Sequence, residues 1–304
     1  MREQDFPELD QVYLDSACMS LRPKSVIDKV KEYYTVYPVC PGRSNHSLSE
    51  RATEELGDAR EEVAEFIDAS PENLVFTSGT TESINTVARG FSTGRVVLSD
   101  REHNSNLVPW QNSNKKMIEV ETGENFIPRL DSRVEEGDLV SLVHVSNLDG
   151  YEIPMEEVSK VVEENNAFLM VDAAQSIPHR KVSVKNIQPD FMAFSGHKMC
   201  GPSGTGALYV SDRVKDELEP LKTGGGAVMN STFDSFEPRE FPQSMEPGLP
   251  NVAGLIGMGT AAEYLQEVGM DNIERHEEKL SEKIYRGIKE INGVENVGSR
   301  NPGV

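Results

Sequence analysis

Cysteine is scarce in this chain: Cys18, Cys40 and Cys200 are all it has in 304 residues. The number is odd and no two share a paired spacing, so a disulfide framework is not expected. No Cys/His cluster has zinc-ligand spacing, and no metal site is expected. Long apolar runs are missing too, since none approaches the roughly 20 residues that span a bilayer. The first residues, Met1-Arg2-Glu3-Gln4-Asp5-Phe6, contain no apolar signal-peptide core. The expectation is a cytoplasmic protein without a membrane partner. Basic residues are few, 30 against 51 acidic ones, for a net charge of -21. Such a balance disfavours nucleic acid and anionic membranes as partners. The acidic residues are spread out, as in Glu54-Glu55, Glu61-Glu62 and Glu277-Glu278, and read as a solvated surface. Internal repeats and low-complexity tracts are also missing.

At 37% hydrophobic residues, the chain can bury a substantial core. Short apolar segments alternate with helical spacing. Val12-Tyr13-Leu14, Asn73 to Phe76, Arg95 to Leu98, Leu139 to Val145, Phe168 to Val171, Phe191 to Phe194 and Ala207 to Val210 read as strands. Val26 to Tyr37, Glu50 to Ile67, the segment up to Ala88, and Met155 to Glu164 read as helices. The pattern predicts an α/β fold with a mainly parallel sheet and crossover helices. Ligands of such sheets sit at the carboxyl ends of the strands. Residues 222 to 251 have little periodicity and read as a long irregular loop. A helical region follows from about Val252 to Ile291, broken near Gly269, and Gly293 to Val297 reads as the start of another strand.

Chemistry-bearing residues fall just after the strands. Gly79-Thr80-Thr81-Glu82 joins a strand to a helix and offers free N–H groups and two hydroxyls to an anion such as phosphate. The same residues also read as an ordinary threonine cap. A Walker loop is excluded, because no Gly-Lys-Ser/Thr follows. Glu102-His103-Asn104 places an imidazole where it could stack on a flat cofactor, or simply lie on a surface loop. Ser146-Asn147, and Gln175 three residues after Asp172, could hydrogen-bond a ring hydroxyl. Asp172 closes the apolar run Leu169-Met170-Val171, and Lys198 follows Ser195-Gly196-His197. An amine that forms an imine and a carboxylate that holds a pyridine proton are the two groups most needed for pyridoxal-phosphate chemistry.

As an ordered set, these stretches closely resemble the class V aminotransferase family of fold-type I pyridoxal-phosphate enzymes. Within it they are most similar to the group II cysteine desulfurases and the related selenocysteine lyases. The match is carried by Tyr13-Leu14-Asp15-Ser16-Ala17, Arg43 to Ser49, Phe76 to Asn85, Glu102 to Trp110, His144-Val145-Ser146-Asn147 and Phe194 to Gly206. The resemblance implies a seven-stranded, mainly parallel sheet with helices on both faces. It also implies an N-terminal segment (1–20), a large cofactor-binding domain (21–250) with an active-site loop (222–251), connecting helices (252–292), and the start of a truncated small domain (293–304). Lys198 would hold pyridoxal 5'-phosphate covalently and then move protons. Asp172 would pair with the ring nitrogen, and His103 would stack on the ring. Gln175 would meet the ring oxygen, and Asn147 would lie by the ring and the substrate carboxylate. Thr80, Thr81, Ser195 and His197 would hold the phosphate, and His46 would lie at the substrate mouth. The implied activity is conversion of L-cysteine to L-alanine, with sulfur passed to an acceptor thiol, in a homodimer whose 224–251 loop crosses into the other subunit's site.

Two departures stand out. Leu249, in Glu246-Pro247-Gly248-Leu249-Pro250-Asn251, replaces a threonine that in relatives reaches the partner's cofactor phosphate. One charged hydrogen bond is lost, worth on the order of 1.5–3 kcal/mol. The nucleophilic cysteine and the substrate-binding arginine of relatives are expected outside this chain, which reads as a fragment, a split enzyme with a separate C-terminal chain, or a reduced homologue. Cys200 reads as structural, Cys18 lies nearer the implied entrance, and Cys40 has no context. The alternatives are another class V enzyme (selenocysteine lyase, epimerase or aminotransferase) or a non-catalytic cofactor-binding subunit of a sulfur-transfer assembly.

Overall fold

The computed structural model describes residues 3–123, 127–130 and 132–295. In chain order the elements are α1 (Lys24–Val36), α2 (Ser47–Glu65), β1 (Leu74–Thr77), α3 (Thr80–Gly90), β2 (Arg95–Ser99), α4 (Asn104–Gln111) and β3 (Lys116–Val120). There follow β4 (Leu139–Val143), α5 (Met155–Glu164), β5 (Phe168–Asp172), α6 (Val184–Ile187), β6 (Phe191–Ser195) and β7 (Gly206–Val210). The last are β8 (Val228–Ser231), β9 (Phe236–Pro238), α7 (Val252–Val268) and α8 (Met270–Lys289).

Seven strands form one sheet in the order β1-β7-β6-β5-β4-β2-β3. The pairs β2–β3, β2–β4, β4–β5 and β5–β6 are parallel. Strand β7 is antiparallel to both β1 and β6, so β1 points the same way as β6. The carboxyl ends of β1, β2, β4, β5 and β6 therefore open on one edge, where such sheets hold their ligands. Both sheet faces are covered. Leu169 and Val171 of β5 join the core built with α2, α5, α7 and α8, whereas Met170 joins the one built with α3 and α4. This strict alternation is why the strands read as continuous apolar runs.

Two expectations need correction, and two elements were not expected. Val12-Tyr13-Leu14 is not a strand: Val12 and Leu14 are 87% and 90% exposed, and Tyr13 Oη donates to Met19 O (2.6 Å), within the same segment. The strand β3 was not anticipated, because Lys116 and Glu119 interrupt its apolar run at the sheet edge. The helix α4 was hidden by Pro109 in its interior. Residues 222–251 are not wholly irregular, since β8 and β9 form an exposed hairpin there. The break at Gly269 stands where expected. Of the strand expected from Gly293, residues 293–295 are turn or coil and 296–304 lie outside the described residues.

Candidate active site

The turn from β1 into α3 builds one end of the site. Thr80 N–H donates to Ser195 Oγ (2.8 Å), and the Thr80 and Ser195 hydroxyls are 2.7 Å apart. The Thr81 hydroxyl meets that of Ser105 (2.8 Å), in the first turn of α4. Two helix starts thus present a row of hydroxyls, a setting that favours an anion. Gly79, at φ 145, takes a conformation closed to most side chains. Gly206 lies against it, and a methyl group there would stand 2.4 Å from Gly79 Cα. Gly206→Val is therefore expected to cost roughly 1–3 kcal/mol of stability through overpacking, read by thermal melts, and to weaken anion binding at the turn.

Asp172, the last residue of β5, is buried, and Ala174 N–H donates to its Oδ1 (3.0 Å). Burial pushes this carboxyl above its usual range, against the Ala174 N–H and the positive charges of Lys198 and His103. Lys198 ends the turn that follows β6. Burial pushes its amine below the usual lysine range, against the charges of Asp172 and Cys18. Among the described residues its Nζ makes no hydrogen bond or ion pair. His103 caps α4, its Nδ1 accepting from Ser105 N–H (3.1 Å). Glu102, its neighbour, accepts from Asn106 Nδ2 (2.6 Å) and Val143 N (2.8 Å).

The chain start is strapped across this edge. Gln175 Nε2 donates to Ala17 O (2.8 Å), and Ser20 N and Oγ donate to His197 O (3.0 and 3.1 Å). Cys200 N donates to Ser20 Oγ (2.7 Å), and Arg22 Nε donates to Gly201 O (3.1 Å). Cys18 thus lies between two pinned residues and is exposed. Cys200 is buried, and burial pushes its thiol up to about 11, so it stays protonated at neutral pH. Cys40 is exposed. Burial, with Lys198 and Arg22, pushes His197 below the ordinary histidine range.

The structure thus brings together Lys198, Asp172 and His103 on one hand, and Thr80 and Ser195 on the other. Gln175, three residues after Asp172, donates one of its two amide N–H bonds to Ala17 O. Asn147 is exposed in the turn after β4, and His46 caps α2, accepting from Ser49 N–H (3.2 Å). No hydrogen bond, ion pair or charge interaction among the described residues ties either of them to Lys198 or Asp172. Glu102, Ser105, Ser20 and Arg22 were not singled out from sequence. Their partners are remote in the chain, and only the Glu102-His103 adjacency hinted at the first.

The residues present fit pyridoxal phosphate. A buried carboxylate with one oxygen uncommitted among the described residues suits a cationic ring nitrogen. A half-buried amine with no hydrogen bond or ion pair among the described residues suits an imine, and the hydroxyl row suits a phosphate. Among the described residues no cluster could hold a metal ion, and no helix is long and apolar enough to cross a membrane.

Comparisons with known proteins agree with this geometry. Residues 12–304 match the family model for class-V aminotransferases. A probable cysteine desulfurase of Methanothermobacter thermautotrophicus is 40% identical, over 97% of this chain and 77% of its own length. A cysteine desulfurase of Haloferax volcanii is 38% identical, over 97% and 73%. The apo structure of a cysteine desulfurase from Thermococcus onnurineus superposes with a TM-score of 0.90 at 36% identity, over 96% of this chain and 76% of that one. With the sheet order, the edge site and these matches in agreement, this chain belongs to the class-V aminotransferase family.

Proposed function

We propose that the chain is the cofactor-bearing part of a pyridoxal-phosphate-dependent cysteine desulfurase. The observation that carries this reading is the meeting of Asp172 and Lys198 at one strand edge, each with its charged state disfavoured by burial. The cofactor, when bound, supplies a ring that accepts electrons from the substrate. Asp172 holds the proton on the ring nitrogen. Lys198 anchors the cofactor and afterwards carries a proton at Nζ, a task eased by an amine pushed below the lysine range. Thr80, Thr81, Ser195 and His197 would hold the phosphate, His103 would cover the ring, Gln175 and Asn147 would serve its oxygen and the substrate, and His46 would serve at the mouth. Overall, the Cβ–S bond of L-cysteine breaks, the sulfur joins an acceptor thiolate as a persulfide, and protons complete L-alanine.

The acceptor thiol is proposed to lie in a small domain that begins near residue 293, beyond the large domain (21–250) and its connecting helices (252–292). The hairpin within loop 222–251 exposes Met229, Phe233 and Phe236, an apolar surface suited to a second copy of the chain. Leu249, in the same loop, is exposed too. A homodimer in the cytoplasm follows from this reading, with a sulfur-acceptor protein as the further partner.

The test is to incubate cofactor-loaded protein with L-cysteine and to measure alanine and persulfide with and without a cysteine-bearing small domain added as a separate polypeptide. Alanine formation should rise at least about tenfold on that addition. Cys18→Ser should leave this stimulated rate unchanged. Loss of activity in Cys18→Ser would instead make the strap thiol the acceptor. Turnover of another amino acid, with none from cysteine, would favour a different class-V reaction.

A further inference from the structure

Glu102 is a carboxyl group that the scheme above leaves without a task. It lies in the turn between β2 and α4, immediately before His103. Its Oε1 accepts from the Ser99 hydroxyl, and its Oε2 accepts from Asn106 Nδ2 (2.6 Å) and Val143 N (2.8 Å). Val143 ends β4 and stands opposite Asp172 in the β4–β5 register. Asn106 is fully buried, and its Oδ1 accepts from Trp110 Nε1 (3.1 Å) and Ser141 Oγ (2.6 Å). One carboxyl group therefore joins the His103 turn, the first turn of α4 and the end of β4, alongside the residue proposed to hold the ring nitrogen.

We propose that Glu102 is a positioning residue of the cofactor site, which clamps the His103 turn to the strand end beside Asp172. The inference rests on the function proposed above. Burial pushes Glu102 up to about 8, Asp172 adds to the rise, and the hydrogen bonds from Ser99, Asn106 and Val143 oppose it. Asp172, on β5, is the charged group that acts on it. Lys198 and His103 act on Asp172 in turn, and Arg101, in the same turn, is engaged by Asp149. A neutral Glu102, its proton on Oε1 and the Ser99 contact reversed so that Oε1–H donates to Ser99 Oγ, leaves Asp172 as the single negative charge offered to a cationic ring. An ionised Glu102 would set a second negative charge against Asp172.

Two variants separate clamp from charge. Glu102→Gln has the shape of the neutral acid and cannot titrate; Glu102→Ala removes the clamp. The folded protein holds the Glu102 proton more tightly than the unfolded chain does. Its native stability therefore falls as pH rises from the ordinary carboxylate range to about 8, then levels off. Melts of cofactor-free protein from about pH 5 to about pH 9 should show Glu102→Gln gaining on the wild type as pH rises, with the gain flattening at the top. Parallel melting profiles would overturn the neutral-acid claim.

Binding of pyridoxal phosphate, followed by its visible absorption near pH 7, should be kept within about threefold by Glu102→Gln and weakened about tenfold or more by Glu102→Ala. Wild-type binding by Glu102→Ala would overturn the positioning role. Should that variant not fold, Glu102→Asp, too short to reach both Asn106 and Val143, takes its place with the same expectation. A wild-type protein that binds no pyridoxal phosphate would sink the function proposed above, while the cofactor-free melts would still decide the protonation of Glu102.

Discussion

Lys198→Ala is expected to abolish the borohydride-fixable, yellow attachment of pyridoxal phosphate and to lower turnover by roughly 10⁴-fold or more, the scale of losing a covalent catalyst. Nothing in the fold should suffer. The Lys198 amine makes no hydrogen bond or ion pair among the described residues, and burial disfavours its charged form. Removing it therefore relieves a desolvation cost. The cofactor-free variant should melt at or slightly above the wild-type temperature near neutral pH. Peptide mapping after borohydride reduction is the direct measurement. An unchanged adduct in Lys198→Ala would place the attachment elsewhere, and a large fall in melting temperature would give the lysine a structural role.

Asp172→Asn should have the second largest effect, with an opposite sign for stability and for activity. The amide keeps an oxygen to accept the Ala174 N–H, so the local turn survives. It cannot hold the ring nitrogen as a cation, and a loss in turnover on the order of 10²–10³-fold is expected, as when one preorganised charge is removed from a reacting centre. Without cofactor, the same substitution should stabilise the protein. The buried Asp172 keeps its proton more tightly when folded, so the native state weakens as pH rises above the ordinary carboxylate range, and asparagine escapes that penalty. Melts across pH and steady-state rates on the cofactor-loaded variant check the two halves. A cofactor-free Asp172→Asn protein less stable than the wild type at alkaline pH would mean that the carboxylate has a partner other than the cofactor.

The sequence was most readable where a segment is buried on both faces or where chemistry follows a strand directly. Leu169-Met170-Val171-Asp172 and Phe191 to Ser195 announced both the central strands and the functional groups at their ends, because a covered parallel strand must be apolar throughout. Edge and surface elements did not announce themselves. β3 mixes Lys116 and Glu119 with apolar residues because it is the last strand of the sheet and half exposed, and the β8–β9 hairpin is stabilised by pairing within itself. At the site, Lys198, Asp172 and His103 could be named because each sits in a local pattern. The Thr81–Ser105 contact and the Glu102–Val143 bond could not, since they join residues 24 and 41 positions apart through packing alone. The Leu249 departure was visible as a missing hydroxyl, but its exposure was not.

The strap across the mouth of the site has a consequence for how the protein is made. Its hydrogen bonds join Ser20 and Arg22 to residues 177 to 181 positions later in the chain. Ser20 and Arg22 must wait for most of the sheet to be synthesised before they find their acceptors. Contacts of such long range form late, because loop closure is unfavourable until the rest is in place. The strap therefore sets late, after the turn that bears Lys198 has been made.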